Sequence, residues 1–225
     1  MKILITGASG FIGSHMLKYL KENGYSVIGC GRSLLEDKGI PYIKCDLTES
    51  IPDVEADVII HAAGLNPSPT NAFYDYYTNN SKATETVLAY AKSHRVKKII
   101  YIGTLASYGT VQGVLEEESP HNNPEGYGLT KYMAEQLIKN SGIPYHILLP
   151  ATVLGKGCGE NWVTRTAKLL SRNEDVTYYN GTGLFNNFVE IGDICAFILK
   201  LLEQRLNESE TYLLGSCEMT TVESI

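Results

Sequence analysis

The sequence predicts an α/β protein, a doubly wound parallel sheet with a small C-terminal lobe, on three observations. Short apolar runs alternate with stretches of helical periodicity through the first 150 residues, a glycine-rich break separates the first run from the first helix, and the rhythm is lost beyond Pro150. At 225 residues the chain can bury one sizeable core with a small appended lobe, and it is too short for two average domains.

Taken in order, residues 2–6 are an apolar run and predict the first strand. Gly7-Ala8-Ser9-Gly10-Phe11-Ile12-Gly13 ends it. Over residues 14–23, Met16, Leu17 and Leu20 share one helical face and Gly24 stands as the stop. Strands are expected at 26–30, 42–45 and 57–61. A helix over 80–95 leads into a strand at 98–102, and a helix from Tyr127 to Gly142 into a strand at 144–149. Strands alternating with helices imply parallel pairing through right-handed crossovers. Past Pro150 we expect a helix at 162–171, a short strand at 176–179 and a helix at 193–206. Residues 220–225 read as a helix start with a Thr cap and an early Glu, as if the lobe were cut short. The expected division is a dinucleotide-binding region, 1–155, and a substrate-binding lobe, 156–225, packed as one globular unit over the carboxyl edge of the sheet.

Acidic residues outnumber basic ones by 25 to 19, a formal charge of −6, which disfavours nucleic acid or an anionic membrane as partner. Cys30, Cys45, Cys158, Cys195 and Cys217 are scattered without a C-x-x-C pair, which suits reduced thiols and a cytoplasmic home better than a disulfide framework or a metal cage. No run approaches the roughly 18 apolar residues of a spanning helix, and the first residues lack the order of a signal peptide.

Glycines at 7, 10 and 13 between a strand and a helix let the backbone turn tightly and aim helix N–H groups at a pyrophosphate, with Ser9, Phe11 and Ile12 beside it. Selection between dinucleotides belongs to the end of the second strand, where an acid would hold a ribose 2′-OH. Gly31, Arg32 and Ser33 stand there, so a 2′-phosphate can meet a guanidinium, and NADP is favoured over NAD. Alternatively, Arg32 stacks on adenine or faces solvent. Asp46, followed by Leu47, is placed for the adenine amino group, or for a cap.

Tyr127-Gly128-Leu129-Thr130-Lys131 sets a phenol and an ammonium four residues apart on one helix face. A neighbouring cation favours the ionised phenol and brings it nearer the range of acid–base work. Thr104 adds a hydroxyl at a strand's carboxyl end.

With Ile60-His61-Ala62-Ala63-Gly64, Asn80, Ala134-Glu135 and the stretch from Pro150 to Gly155, this arrangement resembles the short-chain dehydrogenase/reductase superfamily. The likeness is to its extended, NAD(P)-dependent sugar-nucleotide epimerase/dehydratase branch, from Lys2 to about Leu214. The resemblance implies a Rossmann-like sheet. It makes Thr104 the catalytic hydroxyl, Tyr127 the acid or base, Lys131 its ribose-binding partner and Asn80 a supporting polar residue. Ala62, Ala63, Gly64, Pro150 and Val153 become cofactor contacts, and helices near 80–95 and 127–140 the seam of a homodimer. Read without it, Thr104 is a strand-end hydrogen bond and Asn80 an N-cap.

Departures narrow the substrate. Leu105 and Ala106 stand where sugar dehydratases carry acids, and an apolar pair cannot abstract a proton. Leu149-Pro150, Thr152 and Asn186 replace two expected anion contacts, leaving Lys156, Arg165, Lys168 or Arg172 as candidates for a diphosphate. The expected activity is NADP-linked reduction of a nucleotide-linked keto-sugar. An epimerase that keeps NAD bound is the alternative, and a non-catalytic dinucleotide sensor is the reading from another class.

Overall fold

The computed structural model describes residues 1–33, 39–111, 113–204 and 207–224. In chain order the elements begin β1 (Lys2–Thr6), α1 (Phe11–Glu22), β2 (Ser26–Gly31), β3 (Tyr42–Lys44), β4 (Val58–His61) and α2 (Phe73–Tyr76). A π-helical turn (Tyr77–Lys82) joins α2 to α3 (Ala83–Ser93), followed by β5 (Lys98–Ile102), a 3-10 turn (Leu105–Tyr108), α4 (Gly126–Lys139), β6 (Tyr145–Pro150) and β7 (Thr152–Leu154). Then come α5 (Trp162–Ser171), β8 (Leu184–Phe185), β9 (Phe188–Glu190), α6 (Ile191–Gln204), β10 (Glu210–Leu214), β11 (Thr220–Thr221) and a last 3-10 turn (Val222–Ser224).

Seven strands form one sheet in the order β10-β6-β5-β4-β1-β2-β3, every neighbouring pair parallel. Strand alternation divides the core in two. Ile3, Ile5, Val58, Ile60 and Ile100 pack with Met16, Leu17 and Leu20 of α1 and with Ile194, Ile198, Leu201 and Leu202 of α6. Leu4, Ile59, Ile99, Ile147 and Leu149 face the other way, onto Val87, Leu88 and Ala91 of α3 and Ala134 and Ile138 of α4. Covered on both faces, the strands read as unbroken apolar runs rather than alternating ones. Each such side chain contributes about 1.5–3 kcal/mol by leaving water.

The order reverses between β1 and β4, and ligands in such sheets bind outside the carboxyl ends at that switch. The stretch from 156 onward divides. α6 packs against α1, and β10 extends the main sheet beside β6. α5, the β7–β9 pair and the β8–β11 pair lie outside the main sheet.

Several expectations need correction. The helix foreseen from Asn80 begins at Phe73, and the π turn places Asn80 and Ser81 inward, so Asn80 caps nothing. Residues 176–179 form no strand, and Tyr178 and Tyr179 are exposed. The expected helix at 220–225 is instead a two-residue strand against β8 followed by a single 3-10 turn. β10 was not foreseen, because Glu-Thr-Tyr-Leu-Leu on a half-buried edge lacks the apolar run of the central strands. The foreseen end of the helix at 206 lies outside the described residues.

Candidate active site

The carboxyl ends of the strands open onto one cleft of about 1560 Å³. That exceeds the 300–1,000 Å³ usual for a single small ligand and suits a dinucleotide with a second ligand beside it.

One end is built on the β1–α1 turn. Gly7 adopts φ +69°, and a Cβ on it would lie 2.6 Å from the Ala63 nitrogen. A Cβ on Gly13 would lie 2.2 Å from the Gly7 carbonyl oxygen. Only glycine lets the turn close this tightly against the end of β4. The Gly10 N–H bonds the Gly7 carbonyl at 2.9 Å, which leaves the first N–H groups of α1 facing the cleft as helix geometry requires. Below it, buried His61 is hydrogen-bonded to Thr6 Oγ1 (2.7 Å) and Thr84 Oγ1 (3.0 Å). Burial lowers its pKa to about 3, so it is a neutral pin.

At the end of β2, Gly31, Arg32 and Ser33 line the cleft. Arg32 is exposed, its Nη1 donates to Asn79 Oδ1 at 3.0 Å, and its charge acts on Asp46. Asp46 lines the cleft as well, while its Oδ1 accepts from the Thr48 nitrogen (2.9 Å) and hydroxyl (2.8 Å). Those bonds hold its pKa below the ordinary carboxylate value. Asp46 thus lies in the cleft and closes a turn at 46–49 rather than capping a helix.

At the far end, the Thr104 and Tyr127 side chains line the cleft as neighbours, and the Thr104 hydroxyl oxygen accepts from the Ala106 nitrogen at 3.2 Å. Burial raises the Tyr127 pKa, and the group that offsets this is the Thr104 hydroxyl. The helix spacing led us to expect Lys131 in that role. Instead its Nζ, buried beneath the cleft, donates to the Ile102 carbonyl at 2.7 Å and sits 4.4 Å above the Tyr101 ring. Spacing fixed the shared helix face but not the direction of a four-carbon stem.

Of the residues singled out from sequence, the cleft brings together Gly7, Ser9, Gly10, Phe11, Ile12, Gly13, Arg32, Ser33, Asp46, Leu47, Ala62, Ala63, Gly64, Thr104, Tyr127, Pro150 and Val153. Lys131 and Asn80 lie behind its wall. Asn80 accepts from the Leu65 nitrogen (2.7 Å) and donates to Thr130 Oγ1 (3.1 Å), tying the loop after β4 to α4. Lys156, Arg165, Lys168 and Arg172 are exposed and do not line the cleft. Sequence reasoning missed the opposite wall: Asn66, Asn161, Asn186, Asn187 and Ser216, with Val111, Val114, Leu115 and Met219. Asn186 was legible only as a replacement for an expected anion contact, and the other asparagines only as loop residues, since no spacing links them.

A glycine-cradled phosphate seat at one end of a cleft and a hydroxyl–phenol pair at the other define a dinucleotide-dependent oxidoreductase-like enzyme on a Rossmann-like sheet. Residues 3–215 match the model of the NAD dependent epimerase/dehydratase family, and the chain belongs to that family. It is 29% identical to an uncharacterized UDP-glucose epimerase of Bacillus subtilis, over 99% of this chain and 79% of that one. It is 27% identical to a GDP-6-deoxy-D-talose 4-dehydrogenase of Aggregatibacter actinomycetemcomitans, over 94% and 73%. Among solved structures it is similar to UDP-glucuronic acid 4-epimerase from Bacillus cereus in complex with NAD. There the TM-score is 0.85 and identity 28%, covering 99% of this chain and 80% of that one.

Proposed function

We propose that the protein reduces a keto-sugar carried on a nucleotide, with NADP as its dinucleotide. The observation that carries this reading is the Tyr127 phenol, kept protonated by burial and set beside the Thr104 hydroxyl on the cleft wall. A protonated phenol is ready to give a proton, which is the reductive direction, whereas oxidising an alcohol calls for a phenolate.

When bound, the dinucleotide supplies hydride at its nicotinamide ring. Tyr127 donates its proton to the carbonyl oxygen of the substrate, and the Thr104 hydroxyl donates a hydrogen bond to the same oxygen as charge develops on it. Pro150 and Val153 line the same cleft and would flank the nicotinamide, and Lys131, behind that wall, would hold the ribose. Leu105 and Ala106 supply no base next to the carbonyl, so elimination of water has no agent there. Gly31 with Arg32 supports NADP, since glycine stands where an acid would repel a 2′-phosphate and the guanidinium is held at the cleft by Asn79.

The nucleotide-linked substrate follows from the relatives, whose names carry UDP- and GDP-sugars. Its diphosphate would meet neutral donors such as Asn161, Asn187 and Ser216. The parts of residues 156–224 outside the main sheet serve as the substrate lobe, α3 and α4 as the homodimer seam, and the five free cysteines suit a cytoplasmic setting.

A second reading, an epimerase that keeps NAD bound, is supported by the names of the relatives and by the NAD in the Bacillus cereus structure. Purified protein offered a panel of UDP- and GDP-linked keto-sugars with NADPH decides between them. Stoichiometric loss of NADPH absorbance supports reduction. Retained NAD with interconversion of sugar epimers and no net cofactor consumption supports epimerisation. A sensor without turnover would show neither.

A further inference from the structure

We propose that Glu135 is a positioning residue of the Tyr127–Lys131 pair: its buried carboxylate is the counter-charge that keeps Lys131 an ammonium beneath the cleft. This rests on the acid–base reading of Tyr127 given above. It goes beyond that reading by assigning work to a group that does not touch the cleft.

Glu135 lies one turn after Lys131 on α4, and both side chains are buried, at 1% and 5% exposure. A lone buried ammonium is costly, and a buried carboxylate equally so, unless each meets an opposite charge. The surroundings supply little else. The Ile102 carbonyl takes one Lys131 proton, and the Tyr101 ring lies under the same nitrogen. Glu135 Oε1 has no hydrogen-bond partner among the described residues, nor has the Tyr101 hydroxyl. The charges of these groups act on one another through the same buried space, Glu135 on Tyr101 and Glu135 on Lys131, and a shared charge accounts for the two orphaned atoms. The carboxylate also sits against Gly103, directly before Thr104: a Cβ there would come 3.3 Å from Oε1. The cluster therefore underlies both catalytic candidates.

The groups facing Glu135 are Tyr101 from β5, Ser107 and Tyr108 from the 3-10 turn, and Lys131 and Lys139 from α4 itself. Neutral His61 of β4 faces Lys131. Burial raises the Glu135 carboxyl to about 7, opposed by the Ser107 hydroxyl and the two lysines. Burial lowers Lys131 to about 8, and Glu135 is what opposes that fall. Both partners are thus charged together between about 7 and about 8. The linkage follows from each sign. The raised acid binds its proton more tightly in the folded chain, so its contribution to stability is full below the ordinary carboxylate value and is lost as pH rises through about 7. The depressed lysine contributes above its ordinary value and loses that contribution as pH falls through about 8.

The test follows the side-chain resonance of Lys131 in full-length wild-type protein labelled on lysine, assigned by its loss in Lys131→Arg. Two steps are expected, one near pH 7 as Glu135 ionises and one near pH 8 as Lys131 itself titrates. In Glu135→Gln the first step vanishes and the second moves at least about one pH unit toward acid. The alkaline limb of the kcat/KM profile moves with it, and Glu135→Asp restores it. A single step in the wild type overturns the proposal whether or not the Gln variant folds. So does a Ser107→Ala variant that shifts the profile as far as Glu135→Gln, because hydrogen bonding alone would then be at work. Should Tyr127→Phe keep full turnover, the functional reading fails, and the wild-type titration still decides this one.

Discussion

The two ends of the cleft are made of different material. The dinucleotide end rests on the central strands and on glycines that admit no side chain, with Leu4, Ile5, Ile59 and Ile60 at 1% exposure or less behind it. The distal wall rests on α5, which has no buried residue, and on strands of two or three residues. Leu170, Leu184 and Met219 remain more than half exposed there. Trp162 of α5 meets Phe185 edge-on with ring centroids 5.1 Å apart. Chemistry common to many substrates needs a fixed frame, and selection of one substrate needs a surface that can be altered cheaply. On the proposed reading, each function rests on the matching material.

That contrast can be broken in several places. Tyr127→Phe removes one hydroxyl from α4, which packs on the central sheet, and should lower turnover by ~10²–10⁴-fold while the melting temperature and dinucleotide affinity hold, read by steady-state rates and thermal denaturation. Leu148→Ala, at the centre of β6, should cost about 2–5 kcal/mol in a urea titration. Gly13→Ala pushes a methyl group into the Gly7 carbonyl and should weaken dinucleotide binding by at least ~100-fold by calorimetry, since the amino end of α1 must move away from the phosphates. Arg32→Ala should weaken NADP about 10-fold and leave NAD nearly unchanged, a difference that equal losses would erase. The smallest effect belongs to the distal wall, where Leu170→Ser should change stability by less than about 0.5 kcal/mol. A loss at Leu170 as large as that at Leu148 would end the distinction between the two ends.

The same contrast decides what was legible in the sequence. Ile3, Leu4 and Ile5 announce a doubly covered strand, and glycines at 7, 10 and 13 announce a phosphate seat, because each follows from local backbone constraints. The cleft then gathers those glycines with Thr104 and Tyr127. The distal wall gave no such signal. β7 to β9 are too short to show a period, and Tyr178 and Tyr179, whose β-favouring types suggested a strand, have no partner strand there. The direction of Lys131 and the pairing of Arg32 with Asn79 are matters of tertiary contact, which spacing along one element does not contain. Asn80 looked like a helix start because a π turn carries no residue signature separating it from a cap.

The central claim is that Tyr127 and Thr104 face the nicotinamide end of a dinucleotide whose phosphates rest on the turn from Gly7 to Gly13. A crystal structure of the protein with NADP bound tests it most directly. The pyrophosphate should lie against the amino end of α1 and the nicotinamide ring in contact with the Tyr127 hydroxyl. A dinucleotide bound elsewhere, or bound with its nicotinamide turned away from Tyr127, would contradict it.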